Sequence, residues 1–450
     1  MKFFKKRLDA ESKTLFKNST WVFFSNFFST ALAFLRSVVI ARGLGAEIYG
    51  TYAIVVAFVA LIQEFLNPNI GTALIKFGAV YQGEQRTDKL MAMVKSSLVA
   101  SFVMALVSVV VVALLSFISY SAFFEKPGLE WFIVAYAIAA SITYVNSISR
   151  GLLRLYYKFK LSSVIQMIMD VLETGMIAVA VFFYPKDLNV FFVAVILTRF
   201  LNGLICNALA FWELRKELMP HHAVSTSIVS EDQRSFSRFV VGNSIGNSLK
   251  TVISQGDVLL LGALSNAEQV GFYSVAKKVA FSVFTLSDPL VQSIYPQLSK
   301  LLAEKRFPEI RRMLLKITSL AMIPSLLFLI VAFFFNEWII VTVYGSEYSP
   351  AALPFYYFLI GAVLGASTFW VLPLVQSLGL VRMRVKVYVF TILIGSVSAW
   401  LLVPTWHAAG MSLALLITNV MNLFIFTYEA IKKMKKEEAL HLREAVSASP

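Results

Sequence analysis

A chain of 450 residues that is 58% hydrophobic and only 15% charged cannot cover itself in water, because a soluble domain carries about 25% charged residues. This composition excludes a water-soluble enzyme or a nucleic-acid-binding protein, and the formal charge of +14 needs another explanation. The single cysteine, Cys206, excludes an internal disulfide.

A membrane span needs roughly 20 mostly apolar residues. In chain order the sequence predicts twelve, at 18–42, 47–66, 92–119, 131–149, 161–184, 190–212, 239–263, 268–286, 313–335, 352–378, 385–403 and 408–429. The first is apolar all round except for Asn18, Ser25, Ser29 and Arg36, whose spacing of seven, four and seven places them on one helix face. The second ends in Glu64 before a proline. On the fifth, Gln166, Asp170 and Glu173 share a face, and on the sixth Arg199, Asn202 and Cys206 do. The seventh carries a stripe of Asn243, Lys250, Ser254 and Asp257. In the eighth, Lys277 and Lys278 are adjacent and cannot both face inward.

The first two spans recur. An ungapped shift of 221 residues superposes Ala46, Glu47, Gly50, Tyr52 and Pro68 on Ala267, Glu268, Gly271, Tyr273 and Pro289. The fold expected is an all-α integral membrane protein of about twelve helices in two parallel-repeat lobes of six. The boundaries are a cytoplasmic amphipathic N-terminus at 1–17, a first lobe at 18–214, a cytoplasmic linker at 215–238, a second lobe at 239–430 and a cytoplasmic tail at 431–450. With the N-terminus inside, every inner connection holds at least three Lys or Arg, whereas the outer ones hold only Arg42, Lys126 and Lys186. The net charge is therefore mostly positive-inside bias, and both termini are expected in the cytoplasm.

Several stretches, namely ARGLGAEIYGTYAI (41–54), LIQEFLNPNIGTALIKF (61–77), AEQVGFYSVAKKV (267–279), YPQLSKL (295–301) and VYGSEYSPAALPF (343–355), together resemble the polysaccharide transporter family. These are the Wzx-type flippases of the multidrug/oligosaccharidyl-lipid/polysaccharide superfamily. The resemblance implies a V-shaped pair of bundles in the bacterial inner membrane that exports an undecaprenyl-pyrophosphate-linked oligosaccharide. It implies no enzymatic activity and no cofactor, and as partners the lipid-linked substrate, membrane lipids and the polysaccharide polymerase machinery, with no nucleic acid.

Five basic residues fall inside spans: Arg36, Arg199, Lys250, Lys277 and Lys278. Such charges face a wet interior or a partner. A cationic cavity formed by Arg36, Arg199, Lys250 and Lys277, with Arg150 at its cytoplasmic entrance, suits a pyrophosphate, since guanidinium groups bind phosphate oxygens in pairs and stay charged when desolvated. Alternatively Arg36, which the repeat shift superposes on Asp257, forms a structural pair with it. Asp170, Glu173 and Glu64 suit coupling to H⁺ or Na⁺, or ion pairing with Arg199 or Arg150. Two other functions compete: a cation-coupled drug antiporter of the same superfamily, which would favour an acidic cavity, and a membrane polymerase or ligase, which would need acid/base residues on a large outer loop.

Overall fold

The computed structural model describes residues 2–118, 128–218, 233–284 and 288–447. The described residues form helices α1 (Lys2–Leu44), α2 (Ala46–Leu66), α3 (Ile70–Gly83), α4 (Thr87–Ile118), α5 (Leu129–Ser141), α6 (Thr143–Leu155), α7 (Phe159–Phe183) and α8 (Leu188–Leu218). They continue as α9 (Gln233–Leu264), α10 (Ala267–Phe284), α11 (Asp288–Ala303), α12 (Phe307–Tyr344), a 3-10 turn (Ser346–Ala351), α13 (Ala352–Ser367), α14 (Val371–Ser377) and α15 (Val381–Ser447). Much of the expected linker, 219–232, lies outside the described residues. The chain divides into two compact units, Met1–Leu259 and Leu260–Pro450.

Helix α4 shows what solvent these helices face. Its buried side carries Ser97, Ser101, Ser108 and Ser116, while Phe102, Leu106, Val110, Leu114 and Phe117 are exposed. Ser108 and Ser116 donate to the carbonyls of Ala105 and Ala113 on their own helix, at 2.7 and 2.8 Å. Small polar residues inside and large apolar ones outside invert the soluble pattern; the arrangement is stable only in hydrocarbon, where close helix approach replaces hydrophobic burial as the packing force.

Close approach is most evident between α3 and α6. A Cβ on Gly71 would lie 2.2 Å from the Ser147 carbonyl oxygen, and one on Gly151 would lie 2.8 Å from the Gly71 oxygen. The two backbones therefore touch. Around them Leu74, Tyr81, Leu90, Met93, Ile148, Leu152 and Leu214 form a buried cluster. The sequence reading places residues between the second and third spans in a connection; the structure forms α3 there instead. Pro68 ends α2, and the chain resumes as a helix at Ile70.

In the second unit, α11, α12, α14 and α15 contribute Leu298, Phe307, Ile310, Leu374, Phe426 and Met434 to another buried cluster. Helix α15 is not one rod. His407 has φ 46° and ψ −123°, and Thr391 Oγ1 donates to Asn422 Oδ1 at 2.9 Å. In a straight helix these residues would be about 46 Å apart. A Cβ on Gly395 would meet Thr418 Oγ1 at 2.6 Å, and one on Gly410 would meet the Leu402 oxygen at 2.4 Å. The three contacts share one antiparallel register, so α15 is a hairpin whose arms are the eleventh and twelfth expected spans. Among the described residues nine helices are long and apolar enough to cross a membrane, with α15 counted once. Helices α9 and α10 occupy the seventh and eighth expected spans without meeting that criterion. In a Cys206→Ser background, Thr391→Cys with Asn422→Cys is expected to form an oxidative cross-link within the chain, detectable by peptide mass spectrometry; a continuous rod would give none.

Candidate functional site

Helices α1 and α7 run parallel and in register. Ser25 Oγ donates to the Ser163 carbonyl at 3.3 Å, Ser29 Oγ donates to Asp170 Oδ2, and Arg36 Nη1 lies 3.2 Å from Glu173 Oε2. A Cβ on Gly43 would overlap Val181, so the contact stays tight to the end of α1. The polar stripe of one helix thus faces the polar stripe of the other.

Two further arginines join from neighbouring helices. Arg199 on α8 brings Nε to 4.0 Å from Glu173 Oε1, with the phenols of Tyr52 and Tyr136 in its electrostatic neighbourhood. Arg150 on α6 donates through Nη2 to Gln166 Oε1 at 2.5 Å. Gln166 Nε2 in turn donates to both oxygens of Asp170, at 2.9 and 3.0 Å. Cys206 lies beside Arg150 and Asp170, its thiol donating to Asn202 at 3.4 Å.

Asp170 and Glu173 are only 7% and 5% exposed, so water does not solvate them. Buried carboxylates need donors, and the two obtain them differently. Glu173 is held by two cations; Asp170 is held by the neutral Ser29 and Gln166, with Arg150 one hydrogen bond further away. Three guanidinium groups against two carboxylates leave this cluster one positive charge in excess. Arg36 Nη1 and Arg199 Nε are buried without a well-formed hydrogen bond, so their contact with Glu173 is charge attraction rather than a saturated fork.

Of the residues expected from sequence, Arg36, Arg150, Arg199, Asp170 and Glu173 are thus brought together. Asp257 and Glu64 have other partners. Arg36 meets Glu173 rather than Asp257, because positions related by a repeat occupy the same place in their own bundles and need not touch. Asp257 is buried on α9, its Oδ1 accepting from the Val258 amide at 2.8 Å. Glu64 sits at the end of α2, accepting from Asn69 Nδ2 at 2.9 Å. Lys277 belongs to the second unit, its Nζ 5.8 Å from the Tyr273 ring centre. Lys250 lies on α9, but its side chain is outside the described residues. Tyr52 and Tyr136 were not anticipated: a lone tyrosine on an apolar helix leaves no periodic signal. No group of three His, Cys, Asp or Glu among the described residues is arranged to hold a metal.

The family described as polysaccharide biosynthesis protein matches residues 15–302. A putative O-antigen transporter of Shigella flexneri is 22% identical over 341 residues, covering 74% of this chain and 78% of the relative. Among solved structures, an inward-facing multidrug-resistance MATE-family transporter of the MOP superfamily superposes with a TM-score of 0.68 at 14% identity, over 90% of this chain and 95% of its own. The lipid II flippase MurJ in an inward closed conformation gives 0.65 at 14%, over 92% and 89%. With a helical bundle built for hydrocarbon and charged residues gathered inside it, the chain belongs to the polysaccharide biosynthesis protein family and is a multi-pass membrane transporter on the fold of the multidrug/oligosaccharidyl-lipid/polysaccharide superfamily.

Proposed function

We propose that this protein is a flippase that moves a polyprenyl-pyrophosphate-linked oligosaccharide from the cytoplasmic to the outer leaflet of the inner membrane by alternating access, with both termini in the cytoplasm. The observation that carries the reading is the convergence of Arg36 and Arg199 on Glu173, inside a cluster with one positive charge in excess. A diphosphate supplies what that cluster lacks: oxygens in fixed pairs, matching the guanidinium fork. The carboxylate holds the arginines in place until substrate phosphate replaces it. A cationic drug would meet repulsion at the same position.

The head group enters this cluster while the polyprenyl tail stays in lipid. A membrane potential, negative inside, favours outward movement of an anion by about 2.3 kcal/mol per charge per 100 mV. For a pyrophosphate of charge about −2 the bias is roughly 4 to 5 kcal/mol, sufficient to drive export without a nucleotide. In proteoliposomes holding a short undecaprenyl-pyrophosphate oligosaccharide, outward translocation is expected to rise with an imposed inside-negative potential. Arg199→Ala is expected to slow it at least about tenfold, the equivalent of one lost charge-assisted contact. Exchange of a cationic drug for protons, with no sugar lipid moved, would replace this reading by antiport.

A further inference from the structure

The two arms of α15 carry their own measure of the membrane. Exposed Trp406 stands at the turn, and Tyr388 and Tyr428 stand at the far ends of the first and second arms. At the helical rise, residues 388–406 span about 27 Å and 408–428 about 30 Å, each close to a hydrocarbon core of about 30 Å. Amphipathic aromatic rings at both ends of such a length sit at the two interfaces. Between them the exposed side chains are apolar: Phe390, Leu393, Val397, Leu401 and Phe424.

Past the tyrosines the surface turns cationic. The register set by Thr391 and Asn422 extends to the base, where the Tyr388 and Phe426 rings meet edge-on at 5.4 Å. Arg382, Arg384 and Lys386 of the first arm therefore lie opposite residues 427–431, directly before Lys432, Lys435 and Lys436 of the second. Arg384 and Lys432 lie over the Tyr388 and Tyr428 rings, at 5.7 and 5.8 Å, so each arm presents a cation–aromatic pair. Among the described residues none of these six cations is in an ion pair. Their neighbours in the same unit are: Arg306 pairs with Glu304 and Glu309, Arg311 with Glu438, and Lys433 with Glu437. With Glu437 and Glu438 so committed, Glu429 is the one acidic residue left between 382 and 438.

The tail presents its cations from a fixed position. Met434 is buried among α11, α12 and α14, Glu438 meets Arg311 at 2.7 Å, and Lys433 Nζ donates to the Leu378 carbonyl. On the exposed side Lys432, Lys435 and Lys436 follow one another at i, i+3 and i+4, a placement in which like charges destabilise a helix. An external anion relieves that repulsion. The adjoining tyrosines say what kind: an acidic protein would meet the lysines alone, whereas rings at the ends of a lipid-length span lie at head-group level.

We propose that the base of this hairpin is a binding surface for anionic phospholipids, whose head-group phosphates are held by Arg382, Arg384, Lys386, Lys432, Lys435 and Lys436. The test follows thermal unfolding of the purified full-length protein in detergent micelles mixed with phosphatidylglycerol or phosphatidylcholine. Phosphatidylglycerol is expected to raise Tm by about 3 °C or more relative to phosphatidylcholine, as a ligand selective for the folded state does. Sodium chloride at about 0.5 M is expected to remove most of that difference by screening. The triple variant Lys432→Gln, Lys435→Gln, Lys436→Gln is expected to lose most of the response while matching wild type in phosphatidylcholine. Its affinity for phosphatidylglycerol, read by native mass spectrometry, is expected to fall roughly fivefold per cation removed. The corresponding triple change to Arg keeps the charge and is expected to keep the response, which serves if the Gln variant misfolds. Lys300→Gln, at an exposed cation that pairs with Glu304, is expected to leave the response unchanged. Equal Tm in the two lipids, an undiminished response in the triple Gln variant, or an equal loss in Lys300→Gln overturns the proposal.

Discussion

Glu173→Gln is expected to lower the stability of the protein by about 3–5 kcal/mol and to tighten its hold on a diphosphate. Both effects follow from the same geometry. Arg36 is 15% and Glu173 5% exposed at a separation of 3.2 Å, and Arg199 approaches the same carboxylate. Removing one partner of a buried pair strands the other's charge without solvent, at a cost of several kcal/mol. Here the stranded charges are two arginines, and a diphosphate then binds without displacing a competitor. Pyrophosphate is thus expected to restore most of the lost Tm in Glu173→Gln and to stabilise wild type much less. Arg36→Gln alone is also expected to destabilise. Combined with Glu173→Gln it should cost less than the two single changes summed, by a coupling of about 1–3 kcal/mol. Additive effects with no pyrophosphate rescue would mean that the two residues neither interact nor meet an anion.

Gly71→Val is expected to abolish accumulation of folded protein, as measured by the monodisperse fraction of a fluorescent fusion in size-exclusion chromatography. The first added carbon would meet the Ser147 carbonyl at 2.2 Å. That obstacle is main chain of a packed helix, which cannot rotate away as a side-chain tip would. Overpacking costs typically 1–3 kcal/mol where neighbours yield; here α3 and α6 must separate, opening the cluster of Leu74, Ile148 and Leu152. Gly83 on the same helix has nothing within 4 Å of an added Cβ, so Gly83→Ala is expected to be neutral or to stabilise by up to about 1 kcal/mol through helix propensity. Equal behaviour of the two variants would refute the backbone contact.

Both halves of the arginine–carboxylate cluster are legible in the sequence, but not their union. Ser25, Ser29 and Arg36 share a face at helical period, and so do Gln166, Asp170 and Glu173, because polar residues on a lipid-length helix stand out against an apolar background. Which stripe faces which depends on how α1 packs on α7, and helical period carries no information about that. The repeat shift suggested Asp257 for Arg36, yet it relates equivalent places and not neighbours. Glycine contacts were equally hidden: Gly71 and Gly151 are marked as special only by the backbone each one meets. The tight turn at His407, by contrast, was legible as a gap between two apolar stretches, whereas the helical geometry on either side of it runs almost without pause.

That turn bears on how the protein is made. Thr391 and Asn422 each hold a polar group that hydrocarbon penalises. The Thr391 hydroxyl also reaches the carbonyls of Val387 and Tyr388 on its own arm, at 3.0 and 3.2 Å, whereas Asn422 Oδ1 accepts from Thr391 across the hairpin. The first arm can therefore settle in lipid alone, and the second gains by leaving the translocation machinery against it. Thr391→Val should prolong the association of the second arm with that machinery, read by cross-linking of arrested nascent chains.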